Sequence, residues 1–429
     1  MTASTVSGAA AVAAREPARA PLRAWLVFAV SLALMLSDYM SRQVLSAVFP
    51  LLKLEWSLTD TQLGALGGVV ALMVGLLTVP LSLLADRVGR ARSVAAMALT
   101  WSVATLACGL CANYGQLMLA RLVLGVGEAA YGSVGLAVVL TYFPRTSRAT
   151  ITSALMAGGV FGSFLGLTLG GVLSAHIGWR GAFAVMAAIG LVLVAAYLLV
   201  VREKRAGTSD AGQGAPAPVF TPRAVLAGLF SSRSIVLTYI ASGLQLLVLG
   251  ALMAWTPSYL NRVHGLTPQL AAASAAVLLL SSGVGMVVCG ALSDRLTARR
   301  PHLRSSLAAG YGVATFLLLE AALVLPHGPL QIACAMLGLF CAAGTAGPAG
   351  ALIADAAPPQ LLGAALAVMT LANNLIGLAP GPAVAGALAD RLGLQAALQI
   401  VTCAALLASG AFWLSGRVRQ STQPGPLKA

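Results

Sequence analysis

The chain has 429 residues, 59% of them apolar and 9% charged, with a net charge of +14 and a mean hydropathy of +0.90. A water-soluble domain carries about 25% charged residues, so a soluble enzyme or soluble nucleic-acid-binding protein is excluded as the first reading. Runs of about 18 or more apolar residues mark membrane-spanning helices; spanning strands are excluded by pattern, because they alternate over roughly ten residues.

In chain order, residues 1–22 form an Ala/Arg-rich tail. The first apolar run, near 24–49, is too long for the core of a signal peptide and is expected to remain as span 1. Further runs fall near 61–84, 93–112, 116–142, 149–175 and 180–201. The stretch REKRAGTSDAGQGAPAPVFTPR (202–223) is polar and rich in Gly and Pro, which reads as a flexible linker. Six more runs follow near 234–259, 268–292, 304–325, 329–354, 361–388 and 395–416.

The two sides of the linker echo each other. LLADRVGRAR (83–92) returns as ALSDRLTARR (291–300), and GVLSAHIGWRGA (171–182) returns as GALADRLGLQAA (386–397). Such internal repetition is the mark of a carrier built from duplicated bundles. The expected fold is an all-α membrane protein with twelve transmembrane helices in two pseudo-symmetric six-helix bundles. Its parts are a cytoplasmic tail (1–22), a first bundle (23–201), a cytoplasmic linker (202–233), a second bundle (234–416) and a cytoplasmic tail (417–429).

Charge placement sets the expected topology. Of the 26 basic residues, 20 fall in segments that alternate to one side of the membrane. Lys53, Arg180, Arg262 and Arg391 fall on the other, and Arg42 and Arg121 lie within spans. Lys and Arg concentrate in cytoplasmic loops, which predicts a multi-pass inner (cell) membrane protein with both termini inside. The basic balance is then a topology signal, and no nucleic-acid partner is expected. The six cysteines lie in apolar runs; Cys108 and Cys111 form a CxxC without a histidine partner, which reads as packing rather than a metal site. Neither HExxH, GxSxG nor a GK[ST] phosphate loop is present, so neither a catalytic residue nor a cofactor is expected.

Charges within spans are the candidate functional residues, because each costs roughly 2.5–3.5 kcal/mol at the bilayer centre. Asp38 lies ~21 Å along span 1 from Ala24, and Arg42 one turn further on the same face. In span 4, which runs the other way, Arg121 lies ~8 Å and Glu128 ~18 Å from Gln116, again on one face. The arginines are therefore expected toward the outer side and the carboxylates deeper. Arg42 and Arg121 can hold an anionic head group, and Asp38 and Glu128 can carry a proton. The competing reading is a set of structural salt bridges in spans 1 and 4, with Asp38 and Arg42 neutralising each other. In the second half, Gln245, Asn373 and Asn374 either line a cleft or join helices, Tyr239, Trp255 and Tyr259 are candidate substrate contacts, and Glu320 reads as structural. A charged first half facing an apolar second half suits an amphiphile.

The loops SLLADRVGRAR (82–92) and GALSDRLTARR (290–300) resemble the G-x-x-x-D-R-x-G-R pattern of the major facilitator superfamily, and the chain resembles that family over about residues 23–417. Ser82 replaces the first glycine of one copy, and Thr297 the later glycine of the other. The resemblance implies gating loops: Asp86 faces a helix N-terminus in the other half, and Arg87 and Arg90 tie neighbouring ends. Gly89 belongs to the same motif, and Asp294 and Arg295 repeat it. The alternative is a solvated basic loop that sets topology. ARLVLGVGEAAYGSVGLAVVLTYFPRTSRA (120–149), DYMSRQ (38–43) and GWRGAF (178–183) resemble the Spinster-like branch, linked in eukaryotes to lysophospholipids and sphingosine phosphate. Tyr39 and Tyr131, within these stretches, join Arg42 and Arg121 as expected substrate contacts. In the family pattern R-x-x-x-G-x-G, Arg121 has a second implied role in arranging helix contacts during proton transfer. Gly158, Gly162, Gly166 and Gly170 form a ribbon suited to close helix packing. Leu167 stands where the family's antiporters have proline, which weakens an antiport reading.

The expected function is proton-coupled secondary transport of an amphiphilic organic anion by alternating access, foremost a lysophospholipid-type lipid. A drug or small organic-acid/proton transporter is the alternative, and a non-transporting membrane sensor the third possibility. The expected partners are protons, a small-molecule or lipid substrate and membrane lipid, with the chain a monomer.

Overall fold

The structure, a computed structural model, describes residues 22–144, 147–201, 229–230, 232–298, 300, 303–326, 328–358 and 361–422. The expected N-terminal tail, most of the linker and the end of the C-terminal tail lie outside these residues. Eleven helical stretches among the described residues are long and apolar enough to cross a membrane. One of them, Arg148–Val200, has 53 residues and a non-helical break at Gly178, with φ 73° and ψ 166°. At ~1.5 Å per residue it would extend ~80 Å, far beyond a ~30 Å hydrocarbon core. It therefore makes two crossings, and the break falls at glycine because this φ is costly for residues with a Cβ.

The twelve crossings are α1 (Leu22–Trp56), α2 (Asp60–Val88), α3 (Arg90–Leu110), α4 (Tyr114–Leu140), α5 and α6 (Arg148–Val200, divided at Gly178), α7 (Arg233–His264), α8 (Pro268–Thr297), α9 (Leu303–Val324), α10 (Pro329–Ala356), α11 (Leu362–Leu392) and α12 (Leu394–Arg419). Because successive crossings alternate in direction, α1 begins, and α12 ends, on one face, called here the terminal face. The loops after α1, α3, α7, α9 and α11 lie on the opposite face.

Within the first half, the glycine ribbon of α5 lies on α1. A Cβ at Gly162 would sit 2.7 Å from the Leu36 carbonyl oxygen, and one at Gly166 2.7 Å from the Met40 Cα. Small residues here let two backbones touch, which is how helices associate where lipid supplies no hydrophobic drive. The halves meet along α2–α11 and α5–α8. On α2, a Cβ at Gly64 would lie 2.2 Å from Pro382 O and one at Gly68 2.0 Å from Ala379 O.

Two crossings are irregular. α4 breaks immediately after Glu128 and resumes at Tyr131. α11 contains a π-helical turn, Asn373–Leu378, before Pro380. Such turns recur at functional sites.

Candidate functional site

α1 and α4 bring the expected ionisable residues together, in an arrangement different from the two layers expected. Arg42 Nε and Nη2 donate to Glu128 Oε2 at 3.0 and 2.7 Å. Asp38 lies in electrostatic contact with Glu128 and Arg42. The Glu128 side chain is fully buried, whereas that of Arg42 is 22% exposed. Arg42 thus pairs with Glu128 rather than forming an outer layer with Arg121. The physical reason is the tilt of side chains toward their helix N-terminus. α1 starts at the terminal face, so Arg42 leans back toward Glu128; α4 starts at the opposite face, so Arg121 leans away from it.

This cluster is incompletely satisfied. Glu128 Oε1 and Asp38 Oδ1 are buried and have no donor among the described residues. Two acceptor-only carboxylates beside one guanidinium leave lone pairs unused, at a cost of about 1–3 kcal/mol for each unsatisfied group. A proton on either carboxyl turns an acceptor into a donor, so the site is chemically suited to hold one. Tyr39 completes the accessible surface: the Arg42 guanidinium lies 5.3 Å from its ring centroid, and the ring packs on Gly159 of α5.

The other expected substrate contacts are held elsewhere in this conformation. Arg121 is 1% exposed and donates to the carbonyls of Leu66 (3.3 Å) and Ser41 (3.5 Å), so it has no face open to a substrate. Tyr131 is buried; its hydroxyl donates to Ser31 O at 2.6 Å, and its ring stands edge-on to Trp101. Gln245 joins helices: its Nε2 donates to Thr315 Oγ1 of α9 and Ala342 O of α10. Asn374 is buried in the seam between α11 and Gly75 of α2, and its Nδ2 donates to Thr370 O. Asn373 is half-buried, and its Oδ1 has no donor among the described residues. Trp255 is fully buried, donates to Pro382 O at 2.9 Å and packs against Phe49 of the first half. Glu320 accepts a hydrogen bond from Thr402 of α12, a tie between helices.

Among the described residues, the loop expected to reach across the halves makes no bond to the other half. Asp86 is half-exposed and pairs with Arg90 of its own loop at 2.7 Å. Neither Arg87, Asp294 nor Arg295 forms an ion pair among the described residues. Gly89, with φ 112°, ends α2 and starts α3. The links between halves gather instead at the opposite face. Arg262 of α7 grips Asp60 of α2 through two parallel bonds of 2.8 and 2.9 Å, and Lys53, in the same half as Asp60, also binds it at 2.5 Å. Asp390 of α11 accepts from Asp60 N and Thr61 N, at 2.7 and 2.9 Å. Sequence reasoning passed over these residues because charges at span ends are ordinary. The only signal was that acids and bases both cluster at the outer ends of α1, α2, α7 and α11. Cys108 and Cys111 are free thiols, and among the described residues no group of three or more His, Cys, Asp or Glu side chains could hold a metal.

Two six-helix halves, joined at one face, with an Arg–Glu–Asp cluster inside the first half, define a membrane carrier. The Major Facilitator Superfamily family model matches residues 31–379 and 283–429; the chain belongs to that superfamily, a family of transporters rather than enzymes. It is 27% identical over 403 residues to an MFS-type efflux pump of Mycolicibacterium smegmatis, covering 93% of this chain and 92% of that one. It is 26% identical over 431 residues to a gallate transporter of Pseudomonas putida, covering 93% of each. Among solved structures, it superposes on a bacterial homologue of the human lysosomal transporter Spinster in an inward-facing, unoccupied conformation. That match has a TM-score of 0.84, 21% identity, and coverage of 95% of this chain and 99% of that one. The fold is therefore Spinster-like.

Proposed function

We propose that this transporter couples protons to the movement of an organic anion, and that both load together. The observation carrying the proposal is the Arg42–Glu128 pair with Asp38 beside it. While Glu128 is ionised, it occupies Arg42. A proton on Glu128 removes its charge and weakens its hold on Arg42, because hydrogen bonds to charged groups are about twice as strong as neutral ones. The freed guanidinium, already open on one side, then binds a carboxylate or phosphate. Asp38 serves as the neighbouring proton site. Proton and anion therefore favour each other's binding, as in a symporter, in keeping with Leu167 replacing the antiporter proline.

The terminal face, rich in Arg, is assigned to the cytoplasm by the bias of basic residues, with the protein in the cell membrane. In that orientation the present conformation is closed outside. The substrate reading is an amphiphilic anion, with its head on Arg42 and Tyr39 and its body toward the apolar second half; a lysophospholipid is the leading candidate. A small aromatic or sugar acid is the second reading, favoured by the gallate transporter that aligns over nearly the whole chain.

The test is uptake into proteoliposomes under an imposed pH gradient, with lysophosphatidylglycerol and gallate as probes. Glu128→Gln and Asp38→Asn are expected to abolish gradient-driven uptake with the fold intact. Parent rates in both variants would refute the coupling assignment. Uptake of gallate alone would select the second reading, and binding without flux of either probe would point to a sensor.

A further inference from the structure

The hexapeptide LADRVG (84–89) ends α2 at the terminal face, and LADRLG (388–393) ends α11 at the opposite face. The two ends are built alike. Gly89 and Gly393 have φ of 112° and 83°, and their N–H groups donate to Ala85 O and Ala389 O, each at 3.0 Å. Each places its aspartate three residues before the glycine. α2 and α11 also lie against each other in opposite directions across the two halves. The C-terminal aspartate of each helix therefore sits at the membrane face where the other helix begins.

Among the described residues, one of the two aspartates reaches across. Asp390 Oδ1 and Oδ2 accept from Asp60 N and Thr61 N at 2.7 and 2.9 Å, and Oδ2 also accepts from the Thr61 hydroxyl at 2.6 Å. The neighbouring N–H groups are closed by α2's own capping box, Gln62 N to Thr59 Oγ1 and Thr59 N to Gln62 Oε1. A helix leaves its first N–H groups without partners; two of those at the start of α2 are thus supplied by the other half, with a carboxylate at the positive end of the helix dipole. The N-terminus of α11, at the far end of the same helix pair, has no side-chain cap, while Asp86 points back to Arg90.

We propose that Asp390, on the N-terminus of α2, is the latch that holds the opposite face shut, and that it exchanges, as the transporter alternates, with the Asp86 contact to a helix N-terminus that the family resemblance implies at the terminal face. Opening that face pulls Asp390 from Asp60 and Thr61, and closing the terminal face brings Asp86 toward the start of α11. One helix pair thereby carries a latch at each end, and only one can be fastened at a time. The Arg262–Asp60 fork lies on the same first turn of α2 and opens with it. The latch does not depend on what is carried or on proton coupling.

The test uses the full-length chain in cells. Ala385→Cys places a thiol on α11 at a position that is fully buried here, and its labelling by a membrane-impermeant maleimide is read against the six native cysteines. In the parent background, labelling is expected to be slow. Asp390→Ala is expected to raise it by about 2- to 30-fold, the range that follows from loss of a helix N-cap. Asp390→Asn, which keeps one acceptor oxygen and is the gentler change should the alanine variant misfold, is expected to give a smaller rise. Adding Asp86→Ala to either variant is expected to bring labelling back toward the parent. Parent-level labelling in folded Asp390→Ala or Asp390→Asn would overturn the latch. A further rise on adding Asp86→Ala would overturn the exchange.

Discussion

In the mechanism proposed above, binding turns on Arg42, because its guanidinium offers several donors in a rigid fork and remains charged at bilayer depth. Lysine retains the charge and loses the fork. Arg42→Lys is therefore expected to raise the KM for an anionic substrate by about 10- to 100-fold, the loss of one charge-assisted hydrogen bond, while uptake still follows the pH gradient. An unchanged KM in liposome uptake would remove Arg42 from the binding site. Gln245 gives the contrasting case. Gln245→Leu removes two interhelical bonds and is expected to cost about 1 kcal/mol in thermal stability, leaving KM as it was. A raised KM would return Gln245 to the cleft. Both residues were visible in the sequence as polar groups in mid-span. Their different roles were not, because Gln245 finds its partners 70 and 97 residues away, and only packing shows which side of the helix faces the cleft.

At the scale of helices, two sets of glycines do different work. Those on α5 join two helices of one half; those on α2 join the halves. Gly166→Val would drive a branched side chain into the Met40 backbone, 2.7 Å from the Cβ position, and overpacking of this kind costs typically about 1–3 kcal/mol. The expected result is a lowered melting temperature. Gly68→Val meets Ala379 O at 2.0 Å, a contact between the halves that the proposed latch would release when the opposite face opens. Its expected result is a population shift toward the state open at that face, seen as faster maleimide labelling of Ala385→Cys, with the melting temperature less affected than in Gly166→Val. Equal effects of the two on melting, with no change in labelling, would contradict this division. The crossings and the α5 ribbon were legible, because apolar length and a four-residue glycine spacing are local signals. The break after Glu128 was not, since Ala129–Ala130 carries no helix-breaking residue; the π turn at Asn373–Leu378 had only an indirect signal in Pro380, which cannot donate to the preceding turn.

For the whole molecule, the repeated sequence accounts for the two-bundle fold, whereas the charges are divided unequally between the halves. The first half carries the ion cluster, and the second half supplies Arg262 and Asp390, which join Asp60 and Thr61 at the opposite face. Asp60, Arg262 and Asp390 could not be linked from sequence, being separated by 202 and 330 positions, whereas Asp38, Arg42 and Glu128 stood out because charge within a span demands a reason. The central claim is that anion and proton bind together because Glu128 and the substrate compete for Arg42. The most direct measurement is proton exchange on binding: the purified transporter, in weakly buffered solution with a pH indicator, is mixed with whichever of lysophosphatidylglycerol or gallate stabilises it thermally. Proton uptake, seen as alkalinisation and lost in Glu128→Gln, is the expected result; release of protons, or binding with no proton change in the parent protein, would contradict joint loading of anion and proton.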